Sequence, residues 1–279
     1  FGSALRNFGV RDLIEAVAAH APPPQPLEAG TRKVEPDEKK MTGFVFKIQA
    51  NMDPKHRDRI AFMRVCSGTL NRGMKARLAR TGKPMSLHTP QFFFAQDRAL
   101  AEEAVAGDVV GIPNHGSLRI GDTLTEGEDI AFKGVPSFSP EILRRIHLQD
   151  AMKAKKMNEA LQQMAEEGVV QVFKPVDGSP ALVGVVGALQ LDVLKQRMAA
   201  EYSLPIDFEM ARFNVCRWVE GTADEIERFS DAHRGDMARD LDGALVYLAD
   251  SAFGLGYEAE RWPDVTFKDV KDYQVAKAA

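Results

Sequence analysis

From Met41 onward apolar and polar residues alternate. Phe44, Phe46 and Ile48 fall on one side of an extended chain, with Val45, Lys47 and Gln49 on the other. A polar loop at 51–59 separates this run from a second one at 60–66, which the Ser67-Gly68 turn closes. Gly68 and Gly73 bracket a tight reversal, where a residue without Cβ takes positive φ at little cost. Further short runs follow at 74–80, 92–95 and 109–112, and Gly107-Asp108 and Gly121-Asp122 punctuate them as turns between antiparallel strands. Short, evenly punctuated strands of this kind predict a small closed β-barrel.

The flanks read differently. Leu13, Ile14 and Val17 share one face of a helix at 11–20, which Pro22-Pro23-Pro24 ends. Residues 22–40 are proline-rich and then charged, the composition of an extended, solvated linker. After the barrel, a strand is expected at 141–148, carrying Arg144, Arg145 and His147. A helix at 150–167 follows, with Met157, Ala160, Leu161, Met164 and Ala165 in one stripe. Asp150 suits its N-cap and Gly168 its C-terminal end. Strands at 169–173 and 181–187 flank a turn at 175–180. A helix at 188–202 and one long or two broken strands at 206–219 complete the unit. Strand, helix, strand, strand, helix, strand is the split βαβ order of ferredoxin-like folds. Beyond it we expect a helix at 222–229, a strand at 244–248, an irregular or strand-like segment at 250–267 and a fraying tail at 268–279. The domain division is therefore 1–21, 22–40, 41–131, 132–267 and 268–279.

Composition adds limits. The chain has 279 residues, 44% hydrophobic and 27% charged, as an ordinary two-domain globular protein would. A net charge of −4 excludes a uniformly basic nucleic-acid binder but leaves room for a local basic face. Arg72, Lys75, Arg77, Arg80, Lys83 and His88 concentrate positive charge in one stretch. It reads either as a phosphate-binding face or as a solvated barrel exterior. Phe92-Phe93-Phe94 would stack on bases in a single-strand binder, but three aromatics in a strand more often form core. Cys66 and Cys216 sit apart in apolar runs, as buried reduced thiols do in a reducing cytoplasm. No apolar run approaches the ~20 residues of a membrane span.

Active-site chemistry is sparse. There is no G-x-x-x-x-G-K-S/T loop to cradle phosphates, and Gly254-Leu255-Gly256 lacks the context of a nucleotide site. Six histidines are scattered singly, no G-x-S-x-G elbow is present, and Glu102-Glu103 and Glu166-Glu167 are adjacent pairs that do not face one another on a helix. No metal site and no catalytic residue is expected.

The barrel stretch R-V-x-S-G-x-L-x-x-G (64–73), with A-G-D-V-V-G-I (106–112) and I-G-D-T-L (120–124), resembles the second domain of ribosome-bound translational GTPases. V-P-S-F-S-P-E-I-L-R-R-I (135–146), L-Q-Q-M-A-E-E-G-V-V-Q-V-F (161–173) and G-V-V-G-A-L-Q-L-D-V-L (184–194) resemble the third domain of the bacterial class-II peptide chain release factors. The resemblance implies a β-barrel followed by an α+β domain. It implies that Ser3, Ala4 and Leu5 are the remnant of a guanine-contact motif closing a GTPase domain. It also implies a longer parent that hydrolyses GTP with magnesium, while this chain alone holds no cofactor. The implied partners are the ribosome, through Arg72, Lys75, Arg77 and Arg80, and functionally the codon-reading release factors. The implied state is a cytoplasmic monomer acting in translation termination. The alternatives are a fragment of an elongation factor G or ribosome-protection protein, or a non-catalytic binding module that reuses the barrel.

Overall fold

The computed structural model describes residues 1–30, 32–50, 59–94, 97–148 and 150–271. Ser3 and Phe8 pair in an isolated bridge around a short 3-10 turn, Ala4–Arg6. Helix α1 (Val10–His20) follows, with no buried residue. The expected linker is more than a tether. Strands β1 (Leu27–Ala29) and β2 (Arg32–Val34) form a hairpin in which Ala29 and Val34 are buried against Cys66, Ile130 and Phe132. Three apolar residues spaced among prolines and charges are too thin a pattern to read from sequence.

The barrel domain contains β3 (Thr42–Ala50), β4 (Arg59–Ser67), β5 (Thr69–Asn71), β6 (Lys75–Leu78), β7 (Pro84–Ser86), β8 (Gln91–Phe94), β9 (Asp97–Leu100), β10 (Glu103–Val105), β11 (Val109–Pro113) and β12 (Thr123–Thr125). Eight of these make one antiparallel sheet in the order β7-β6-β12-β3-β4-β11-β8-β9, and β5 pairs with β10. The sheet curls around a core that includes Val45, Ile48, Met63, Leu70, Val110 and Leu124. Gly68 and Gly73 have φ of +62° and +80°, as a tight reversal requires. A Cβ on Gly68 would also stand 2.5 Å from the Lys40 carbonyl carbon. The alternation expected in β3 breaks. A register shift between Val45 and Lys47 sends both Val45 and Ile48 inward and leaves Phe46 exposed.

The second domain holds β13 (Ser137–Phe138), β14 (Ile142–Leu148), α2 (Ala154–Glu166), β15 (Gln171–Pro175), β16 (Leu182–Val185), α3 (Ala188–Tyr202) and β17 (Ile206–Met210). It continues with β18 (Val215–Glu220), α4 (Ala223–Ala232), β19 (Met237–Arg239), β20 (Leu245–Ala249), α5 (Ala252–Arg261), β21 (Thr266–Lys268) and β22 (Val270–Lys271). Strands β17-β14-β16-β15 with α2 and α3 are the expected ferredoxin-like unit. Asp150 caps a 3-10 turn ahead of α2, its carboxylate accepting from the Met152 amide.

The rest is a second unit of the same plan. β18, α4, β19, β20, α5 and β21 repeat the βαββαβ order, and their strands lie as β21-β18-β20-β19. The two units join where β15 meets β19, Lys174 opposite Arg239 and Pro175 opposite Ala238. Helices α2 and α3 cover one face of the first unit through Ile146, Val172, Val183 and Leu194. Helices α4 and α5 cover the second through Phe229, Tyr247 and Leu255. The helix-free faces meet in one cluster, where Leu143, Phe173 and Leu182 pack with Cys216, Trp218, Val246 and Leu248.

Two expectations are corrected here. Residues 250–267 are not irregular, since α5 occupies most of them. Glycines at 254 and 256 weaken its helical signal, and the Ser251 hydroxyl supplies the cap by accepting from the Gly254 amide at 3.1 Å. The tail does not begin at 268, because β22 pairs with β13 through Lys271–Ser137 and Val270–Phe138. The loop at 51–58, part of the strand at 92–95 and residues 272–279 lie outside the described residues. No described helix is long and apolar enough to cross a membrane.

Candidate nucleic-acid interface

Strand β6 alternates: Ala76 and Leu78 point into the core, while Lys75 is exposed and Arg77 lies on the same outer side. Arg72 stands in the turn before it. Lys83 and His88 are exposed in the segment that returns along β7. The expected basic stretch is thus one outer strip of the barrel, but its members are not equivalent. Arg80 donates to both oxygens of Asp122, at 2.7 and 2.9 Å, and that carboxylate is only 3% exposed. Asp122 also accepts the Arg119 amide. Removing Arg80 from this pair would strand a buried charge, so its role is to fix the turn before β12.

Arg72 pairs with Glu102 at 2.8 Å and Arg77 with Asp129 at 3.3 Å, both with well-exposed carboxylates. Pairs of that kind contribute roughly 0–1 kcal/mol, so either guanidinium exchanges such a partner for a phosphate at little cost. Lys75 has no ion pair among the described residues. The chemically available set therefore includes Arg72, Lys75 and Arg77, with the exposed Lys83 next to them.

Among the aromatics, Phe92 packs on the barrel core. Phe93 sits over Phe62 with ring centres 5.0 Å apart and would clash with any side chain on Gly111. Both are structural. At the N-terminus, Ser3 is held by its bridge to Phe8, while Leu5 is fully exposed. Leu13, Ile14 and Val17 of α1 are exposed as well.

Sequence reasoning misses the polar joints. Arg32 grips Glu128 and Glu38 together, which raises its pKa further above its already high value and holds both carboxyls below their usual range. This fastens the hairpin to the barrel. At the domain junction Arg59 pairs with Glu166, and Arg119 with Asp242 at 2.9 Å. Lys271 bonds Asp240 and Asp242. Burial lowers its pKa, but the two carboxylates outweigh burial and raise it. A cleft of about 410 Å³ opens there, lined by Phe46, Ile120, Glu167, Gln171 and Trp218. These partners lie tens of residues apart in sequence, and no local pattern announces them.

The geometry is that of a two-domain body with a basic strip on its barrel. Comparison with known proteins agrees. The family model for elongation factor G domain 2 matches residues 40–127, and that for class II release factor RF3, C-terminal domain, matches residues 132–259. The chain therefore carries, in sequence order, a second domain of the translational-GTPase type and a C-terminal domain of the class II release factor type. The barrel corresponds to the first of these matches and the paired ferredoxin-like units to the second. A crystal structure of a protein from Thermus thermophilus aligns with a TM-score of 0.61 at 22% identity, over 78% of this chain and 33% of that one. That likeness shows a shared fold. The chain spans about a third of the length of that structure.

Proposed function

We propose that this chain is the ribosome-gripping body of a translation termination factor. The observation that carries the reading is the match of residues 132–259 to the release factor 3 C-terminal domain. In this reading the parent protein, in the cytoplasm, hydrolyses GTP with magnesium on a domain outside these residues. Ser3, Ala4 and Leu5 are the guanine-contacting remnant of that domain. The parent promotes departure of the codon-reading release factors. Arg72, Lys75 and Arg77 meet ribosomal RNA phosphates, and Arg80 supports them from behind through Asp122.

Ribosome pelleting at several salt concentrations tests this. Each phosphate interaction removed should lower the slope of log affinity against log salt by about one. Lys75→Gln and Arg77→Gln should each show that decrease with unchanged thermal stability. Unchanged affinity and slope in both would overturn the interface.

A further inference from the structure

Helix α5 contains two glycines with different reasons for being there. At Gly254 a Cβ would stand 2.6 Å from Asp250 Oδ1 and 3.3 Å from Ser251 Oγ, so the capping turn excludes a side chain. At Gly256 a Cβ would meet nothing within 4 Å. Nothing inside the described chain requires glycine at that position, although glycine is the poorest helix former after proline. Gly256 lies on the outer face one turn from Phe253 (85% exposed), and Tyr257 (54% exposed), with Arg261 stacked on it, adjoins Phe253 on the other side. Exposed aromatics next to an open position are the composition of a contact centre rather than of a solvated helix.

Charge selects the partner. Asp224, Glu227, Asp231 and Glu260 are exposed on α4 and α5, against Arg228 and Arg261. A nucleic-acid backbone would be repelled by this layer, whereas a lysine- and arginine-rich segment would be drawn to it. We propose that the outer face of α5 docks a basic protein segment, whose backbone or small side chain enters the open space at Gly256 alongside Phe253. This surface belongs to the second ferredoxin-like unit and is separate from the barrel strip.

The test uses the full chain with two probes, a lysine- and leucine-rich synthetic peptide and poly-uridine RNA. Gly256→Gln fills the open space while improving helix propensity, so the variant should melt no lower than the parent chain. It should bind the peptide about tenfold more weakly. Phe253→Ala should weaken peptide binding to a similar degree, and neither variant should alter RNA binding. Peptide binding that is absent, or unchanged in both variants, would overturn the proposal. So would RNA binding that falls in step with the substitutions.

Discussion

Arg59, at the start of β4, and Glu166, at the end of α2, pair across the junction of the two domains with side chains only 17% and 14% exposed. The arginine Nε has no partner among the described residues, so the pair already carries an incompletely satisfied cation. Glu166→Ala would leave that cation buried and unpaired and should destabilise the chain by about 3 kcal/mol. Denaturant unfolding measures this. Arg59→Met with Glu166→Leu, which removes both charges, should recover much of the loss.

Gly184 is fixed by packing rather than by backbone geometry. A Cβ there would lie 2.7 Å from both the Phe173 ring and Pro140. Gly184→Ala should therefore cost about 1–3 kcal/mol through overpacking. A thermal melt checks it, and an unchanged midpoint would contradict the close packing described at the shared core.

Helix α4 starts with a reciprocal cap: Thr222 Oγ1 faces the Glu225 amide and the Glu225 carboxylate accepts from the Thr222 amide and hydroxyl. The hydroxyl and then the amide of Thr222 hold the Glu225 carboxyl below its usual range. A lowered carboxyl pKa stabilises the fold above the unfolded value, and this is lost as pH falls through the folded one. Thr222→Ala should cost about 1 kcal/mol near neutrality. The gap between variant and parent should narrow in acid, which melts at stepped pH would show.

Burial pushes the Cys66 thiol up to about 12 and the Cys216 thiol further still. Thiolate is the reactive form, so both should resist a thiol-specific reagent in the native chain at neutral pH and react in denaturant. Fast native labelling of either would show that its shell opens readily.

Much of the fold was legible because glycine turns and helical stripes are local signals. Gly68, Gly73 and the Met157–Leu161–Met164 stripe each declare their element within a few residues. Of the second ferredoxin-like unit, the helix α4 and the strand β20 were legible but the plan was not, because α5 carries Gly254 and Gly256 and is held by Leu255 and Trp262 packing around Phe229. The basic strip was legible as a charge cluster, but the division within it was not. What separates Arg80 from Arg77 is a buried carboxylate 42 positions away in sequence.

The seam between β15 and β19 joins the two ferredoxin-like units through two ladder pairs and a bond from the Val176 amide to the Met237 carbonyl, and Phe173, one residue before it, is fully buried between them. Backbone pairing at the seam is slight, and the side chains beneath it bind the halves together. Amide hydrogens on both sides should therefore exchange as one cooperative block, with β16 and β20 protected to the same degree, rather than as two independently opening modules.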